Sequence, residues 1–524
     1  QTDISINGGT FDQIPILLNG VNISSPQTGH NAADFPVSLS DIERIEVLEG
    51  ASARVFGSSA FNGAINIVTR PDRESCVRLS AEGGSFGSFG GDFGVSLLTG
   101  SVSQKLSGGY TQSDGGTKNS DFKRRRAYYT GSYTSRYADL VWQAGLSSQD
   151  YGASTFYSAK FDNQWEATRR IITSAQADIK PFGDERLVIT PQAYWHRDVD
   201  HYQLTRGKEG AKNGENYHRT DVYGASLNAH ATWFLGKTAV GMDIRKEHIL
   251  STAYGDLLPE NEWKDIHGTD RRYDHRGDRT NTSLFLEHNV ILGGFTLSAG
   301  VLANRNTGLD GDFRFYPGVD LSYRPNEMWK FYASWNKALR VPTYTDLYTS
   351  NSVQQGDTGL RPERTSTFKA GTRFRTRGVE AVVSGFYSKG NDIIDWVYET
   401  EESRKYHAMN IGKLDNMGYS VDATLNMTEL LPGSFVTRIK AGYARIHQRH
   451  TTEQPVYRSL YALEYLRHKA TFQLDHRIWS RLSASWAVRW QERMNHYEPY
   501  PKVDSKLQWT APTYSLYVKA DNIT

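Results

Sequence analysis

A single cysteine in 524 residues rules out an intrachain disulfide framework, and Cys76 reads as a small apolar residue within a strand. No apolar run is long enough to cross a bilayer as a helix, and a mean hydropathy of −0.58 is too polar for a helical membrane protein. An excess of one charge is missing as well. The 60 Lys and Arg residues against 58 Asp and Glu leave +2, spread along the chain apart from Lys123-Arg124-Arg125-Arg126. Such a balance is uninformative about nucleic acid, and no nucleic-acid partner is expected. The chain also shows no nucleophile–base pair, zinc spacing or phosphate loop in the surroundings that chemistry needs, so an enzyme is not expected. Scattered histidines such as His447 and His450 read as polar loop residues.

What the chain does have is aromatic and periodic. Its 30 Tyr, 22 Phe and 12 Trp suit the two interfacial girdles of a transmembrane β-barrel, whose polar lumen keeps the hydropathy low. A soluble β-rich protein is the alternative. Leu187, Ile189, Ala193 and Trp195 alternate with Thr190, Gln192 and Tyr194. Phe331, Ala333 and Trp335 alternate with Lys330, Tyr332 and Ser334. Leu482, Ala484, Trp486, Val488 and Trp490 alternate with Arg481, Ser483, Ser485 and Arg489. A period of two places one face in lipid and the other in water. Turn signals fall near Thr99-Gly100, Arg136-Tyr137, Gly183-Asp184, Gly236-Lys237, Gly293-Gly294, Pro325-Asn326, Arg377-Gly378, Pro432-Gly433, Trp479-Ser480 and Ala511-Pro512. Roughly ten short turns on one side imply a barrel of about 22 strands, the size class with a plugged lumen. Long connections on the other side are expected at 149–168, 198–218, 250–278, 305–312, 339–364, 390–408, 449–465 and 492–502, where binding residues tend to sit.

Residues 42–69 carry the most specific signal. Ile42, Ile45, Val47 and Leu48 alternate with Glu43, Arg44 and Glu46 as a short strand. Gly50 ends it, Ser52 to Val55 form one helical turn, and Gly57 and Gly63 sit where positive φ or close approach is needed. Ala64 to Val68 form a second strand. Alone, this is a strand–turn–strand unit of any α/β domain. In order and residue type it resembles the closing half of the plug domain of TonB-dependent outer-membrane transporters. Glu49-Gly50-Ala51 stands where that family has Arg-Gly-Pro, which puts in doubt any plug-to-barrel ion pair through position 49. Asn62-Gly63 replaces a Gly-Gly pair, a mild change because Asn tolerates left-handed geometry. Leu339-Arg340-Val341-Pro342-Thr343-Tyr344-Thr345-Asp346-Leu347-Tyr348 resembles the family's Phe-Arg-Ala-Pro box, and Leu360-Arg361-Pro362-Glu363-Arg364 its Leu-Lys-Pro-Glu element. Haem receptors carry a His between these elements, whereas residues 343–359 contain none.

The resemblance implies an all-β fold: a large antiparallel transmembrane β-barrel of about 22 strands with an N-terminal α/β plug domain. The plug is expected over residues 1–72 and the barrel over 73–524. It further implies a truncated chain, with a leader, a TonB-contacting segment and half a plug before residue 1. Strand 21 is expected at 513–522, with the last strand missing after Lys519-Ala520-Asp521-Asn522-Ile523. The implied activity is TonB-dependent import across the outer membrane of a Gram-negative bacterium. The layout is most similar to the cobalamin branch, so cobalamin or another corrinoid is the expected ligand and a ferric siderophore the alternative. A passive porin and an outer-membrane hydrolase are the readings from other classes. Ligand contacts are expected from Ser25, Gln27, His30 and Asn31 in an apical plug loop, and from Tyr151, Phe156, Tyr157 and Trp165 in the third outer loop. No cofactor is expected except calcium in the outer loops, at Asp265, Asp270 and Asp274. The interspersed Arg271, Arg272, Arg276 and Arg279 favour self-neutralised charge there instead. Partners implied are TonB, outer-membrane lipid, lipopolysaccharide phosphates at Lys123 to Arg126, and a surface lipoprotein.

Overall fold

The computed structural model describes residues 4–30, 34–48, 63–69, 74–157, 160–309, 311–452, 454–463, 465–494 and 498–524. Four short strands, β1 (Ile16–Leu18), β2 (Val21–Asn22), β3 (Ile42–Leu48) and β4 (Ala64–Thr69), form a mixed sheet in the order β2-β1-β4-β3. Asn19 and Gly20 join β1 to β2 with φ of 50° and 80°, the geometry that closes a two-residue hairpin. β1 runs parallel to β4, and β3 antiparallel to it. The two strands expected between 42 and 68 are therefore present. The helical turn at 52–55, with Gly50 and Gly57, lies outside the described residues; Gly63 has φ of 122°. Because β3 is the sheet edge, Ile45 and Val47 remain 60% exposed.

The rest of the chain closes on itself. Among the described residues a ring of 22 strands runs from Cys76–Gly84 to Ser515–Ala520, one member being only the two-residue segment Asp256–Leu257. Sequential strands pair antiparallel throughout. Short turns such as 100–101, 234–235, 293–294 and 377–378 fall where the turn signals placed them. The last strand, Ser515–Ala520, sits inside the expected 513–522. Plug strands end at Thr69 and barrel strands begin at Cys76.

Outward faces carry the apolar half of each alternation: Leu97, Leu146, Leu227, Met242, Leu286, Phe331, Phe368 and Trp486 are all exposed at the barrel surface. Aromatics gather at the short turns, where Phe295 stacks on Tyr323 at 4.2 Å and Trp329 meets Phe374 at a tilt, 4.8 Å away, with Phe234 and Trp479 exposed nearby. A lipid belt with an interfacial girdle is the physical reading. Strands climb further than the sequence pattern showed. Residues 149–154 and 198–203 are still paired strand, so the outer connections shorten to 155–163 and 204–214. The basic run 123–126 also lies within a strand and splits two and two: Arg124 and Arg126 turn inward onto Gln149, Ser38 and Asp92, leaving Lys123 and Arg125 on the outer face.

The core lies between plug and wall. Leu18, Ile23, Val37 and Ile67 of the plug pack on Tyr128, Ile172, Tyr194 and Val222, which point inward from four barrel strands. Each such aliphatic side chain contributes about 1.5–3 kcal/mol by leaving water. The plug thus fills the bore rather than leaning on the outside. Gly236 begins one wall strand with φ of 129°, and a Cβ there would lie 2.0 Å from the Asn289 carbonyl oxygen. Gly236→Ala should cost ~1–3 kcal/mol in backbone strain alone. The folded band on unheated electrophoresis should be lost at lower temperature than in the parent; an unchanged melting temperature would contradict this placement.

Candidate ligand-binding site at the outer mouth

Between β2 and β3 the plug chain rises into the mouth. The carbonyl oxygens of Pro26 and Gln27 accept from Tyr344 N (3.1 Å) and Thr345 N (2.8 Å), which open a one-turn helix (Tyr344–Tyr348) in an outer loop. Gln27 Nε2 donates to Asp200 Oδ2 at 2.7 Å. His30 stacks on Phe11 at 4.0 Å and meets Phe156, Tyr157 and Tyr461 edge-on at 5.5, 5.2 and 5.6 Å. Its Nε2 lies 3.3 Å from the Tyr461 hydroxyl. One imidazole therefore joins the plug to two outer loops.

Beside this cluster is a cavity of about 100 Å³, lined by Gln27, His30, Tyr157, Glu166, Asp200, Tyr202, His218 and Tyr254 among others. None of its described lining residues is Lys or Arg. Glu166 accepts from the Tyr151 and Tyr157 hydroxyls. Burial first, then the facing Glu166 carboxylate, hold the Tyr157 hydroxyl well above its ordinary range, so it stays a donor. Tyr461 is fixed from behind. Outer-loop segments Gln354–Gln355, Tyr406–Asn410, Ile394–Tyr398 and Arg458–Ser459 form a separate sheet. In it Asp395 accepts from Trp396 N (2.8 Å), Tyr461 N (3.1 Å), Ala462 N (3.0 Å) and the Ser459 hydroxyl.

The expected contact residues scatter. Gln27, His30 and Tyr157 line the mouth cavity, and Phe156 packs at its edge. Ser25 lies lower, lining a second cavity under the apical loop. Tyr151 points inward, but its hydroxyl is spent on Glu166. Trp165 turns to the opposite face of its strand, 5.1 Å from the His201 ring, and leaves the group. Asn31 lies outside the described residues. Among the described residues no three acidic, His or Cys side chains converge for a metal. Asp265 is 86% exposed and pairs with Arg272 at 3.1 Å, and Asp274 is 2.7 Å from His275.

Sequence reasoning missed the groups that clamp the plug. Arg340 reaches Asp12 of the plug (2.6 Å), Asp346 (3.1 Å) and Glu363 (2.9 Å), and Gln13 Nε2 donates to Glu363 at 2.8 Å. Arg340 and Glu363 stood out in the two boxes, but nothing marked Asp12 or Gln13 as their partners. Asp34 pairs with Arg170 at 3.1 Å, and Asp41 with Lys105 at 3.1 Å, both buried.

Sequence comparison fits this geometry. The family description "TonB dependent receptor-like, beta-barrel" matches residues 77–523, and "TonB-dependent Receptor Plug Domain" matches 1–64. The chain belongs to the TonB-dependent receptor family. It is an outer-membrane β-barrel protein. The vitamin B12 transporter BtuB of Photobacterium profundum is 23% identical over 474 residues, 80% of this chain and 66% of that protein. The chain thus spans just under two thirds of that relative's length. Among solved structures, the FrpB iron transporter of Neisseria meningitidis superposes with TM-score 0.77 at 16% identity, covering 99% of this chain and 89% of that one. The copper transporter OprC gives 0.77 at 17%, covering 99% and 86%. The siderophore receptor PirA of Pseudomonas aeruginosa gives 0.73 at 17%, covering 99% and 89%. At these identities the likeness is one of fold.

One guanidinium faces three carboxylates in the receptor's clamp, so protonation of one of them is eased. Burial lifts Asp12 from its ordinary 3.8 to about 6, against the pull of Arg340 and with Glu363 and Asp346 adding to the rise. The folded pKa exceeds the unfolded one, so native protein binds more protons between the two values and loses stability as pH rises through them. Urea unfolding in detergent should show parent stability falling, relative to Asp12→Asn, from about pH 4 to about pH 6, and level on either side. A difference independent of pH would contradict the raised Asp12 value.

Proposed function

We propose that this receptor imports a large, hydrogen-bonding ligand without strong negative charge, best matched by cobalamin or another corrinoid. In this reading TonB, energised by the inner-membrane proton gradient, works on the plug to release the ligand inward. No chemistry is done on the ligand. The supporting observation is the mouth cavity: Glu166 and Asp200 sit among Tyr157, Tyr202, Tyr254 and His30, with no Lys or Arg in its described lining. A tris-catecholate complex of iron(III) is anionic and calls for charge-assisted donors. A corrinoid presents flat apolar surface with peripheral amides, which aromatic edges and carboxylate or glutamine oxygens satisfy. The relative BtuB is a vitamin B12 transporter.

The second reading, a ferric siderophore, is favoured by the iron and siderophore transporters among the structural neighbours. A passive porin fits less well with a bore packed by apolar plug residues and closed by buried ion pairs. On this reading Gln27, His30, Phe156 and Tyr157 make the first contacts, Tyr461 joins them, and Ser25 meets the ligand deeper in the bore. Lys123 and Arg125 on the outer face suit lipopolysaccharide phosphates.

Calorimetry on the full-length protein decides between the ligands. Cyanocobalamin should bind with micromolar or tighter affinity, and Tyr157→Ala should weaken it about tenfold, the loss of one well-packed aromatic contact. Tight binding of ferric enterobactin with no corrinoid binding would reverse the ranking.

A further inference from the structure

Three cavities lie in series along one side of the plug. The mouth cavity and a second of about 110 Å³ beneath the apical loop share Thr28 and His30. The second and a third of about 700 Å³ share Asn22, Arg245 and Asn281. The third cavity separates the β1–β2 hairpin from the strands Gln164–Ile179, Leu187–Gln203, Glu215–Trp233 and Gly236–Ser251. Its walls are mostly neutral hydrogen-bonding groups, such as Asn66, Gln143, Gln176, Gln192, Ser226 and Asn228. Its few charges balance in sign: Asp178 and Asp243 against Arg44 and Arg245. Elsewhere around the plug the contacts are tight. Asp41 is bound to Lys105 (3.1 Å) and to the Ser107 hydroxyl (2.7 Å), and Ser38 donates to Asp92 at 2.6 Å.

At the junction of the second and third cavities Arg245 stands with Asn22 and Asn281. Arg245, 7% exposed, donates from Nη1 to the Asn22 carbonyl oxygen (3.1 Å) and from Nη2 to that of Ser24 (2.9 Å). Its Nε is held by Glu247 at 2.9 Å. Both plug acceptors are backbone, so the contact depends on where the plug chain runs and not on its side chains. A buried guanidinium bridging two carbonyls is strong while made and leaves no partial state when the chain moves.

We propose that this row of cavities is the translocation route, and that Arg245 is its latch. The route runs along the wall formed by residues 164–251, and moving the Asn22–Ser24 segment off Arg245 joins the second and third cavities into one hydrated passage. The third cavity's lining suits neutral solutes rich in amides and hydroxyls, whereas the second is lined by Arg170, Arg245, Arg279 and Arg340, each already paired with a carboxylate. The inference rests on the transport reading but not on the ligand's identity.

The test uses full-length protein in liposomes, with swelling in sucrose as the readout. Arg245→Met keeps the stem and removes the donors. It should raise sucrose entry about tenfold or more, since ~1.4 kcal/mol of lost latch corresponds to a factor of ten. Adding Ser226→Trp and Asn228→Trp, whose positions face the third cavity, should return entry to the parent level. Ser384→Trp, on the wall strand Val379–Asn391 and outside the cavity linings, should not. No rise with Arg245→Met, or a rise the paired Trp substitutions leave untouched, overturns the proposal. Should Arg245→Met not fold, the Ser226→Trp/Asn228→Trp protein with Arg245 intact supplies the second readout. TonB-driven uptake of whichever probe binds, cyanocobalamin or ferric enterobactin, should fall at least about tenfold with binding unchanged; uptake at the parent rate overturns it. If neither probe binds, the ligand reading fails while the sucrose result still stands for or against the route.

Discussion

Arg340 ties the plug, an outer loop and the wall together at the mouth of this barrel. Arg340, at the outer end of a wall strand, is 3% exposed and is surrounded by carboxylates from the plug (Asp12), its own outer loop (Asp346) and the next strand (Glu363). A buried charge without partners is costly, and removing one member of such a cluster typically costs about 3–5 kcal/mol. The cluster therefore holds only if plug, loop and wall occupy their places together. The same Glu363 accepts from Ile394 N at 2.7 Å, which starts the outer-loop sheet. Asp346 caps the Tyr344–Tyr348 helix through Thr343, and that helix binds the apical plug loop. One ionic cluster thus orients the cap, the apical loop and the plug body relative to one wall.

The mouth follows from that anchoring. With the apical loop held under residues 344–345, His30 is placed where aromatic side chains from two separate outer loops converge on it. The imidazole and the four rings around it form one continuous polar–aromatic surface in the upper bore. Below them the plug is gripped unevenly. Buried contacts of Asp41 and Ser38 close one side, while Asn, Gln, Ser and Thr leave space on the other. A plug held this way has a built-in direction in which it gives.

The architecture was legible in the sequence because a barrel is written in local signals. Period-two alternation at 187–195 and 482–490, and turn residues such as Gly293-Gly294 and Arg377-Gly378, need only neighbouring residues to be read. The outer contacts were not legible to the same degree. Trp165 and Tyr157 are both aromatic and only eight positions apart, yet one faces outward beside His201 and the other faces His30. Which face a rim residue shows depends on how far its strand climbs, and paired strand extends to Ser154 where a loop was expected from 149. The clamp escaped for another reason. Asp12 and Gln13 meet Glu363 and Arg340 across more than 300 positions, and no local pattern encodes that meeting. In the acidic outer loop at 265–278, Asp265 pairs with Arg272, Asp274 with His275, and Asp278 with His248 and Arg276, pairings that spacing alone does not reveal.

The seating of the plug can be measured directly by a cross-link. The Thr345 amide lies 2.8 Å from the Gln27 carbonyl oxygen, close enough to bring the two Cα atoms within the ~4.4–6.8 Å a disulfide requires. In full-length protein carrying Cys76→Ser, the pair Gln27→Cys and Thr345→Cys should oxidise spontaneously in the outer membrane and stop plug movement until reduced. Two free thiols that label independently, in a protein that is folded, would place the plug elsewhere and contradict the account.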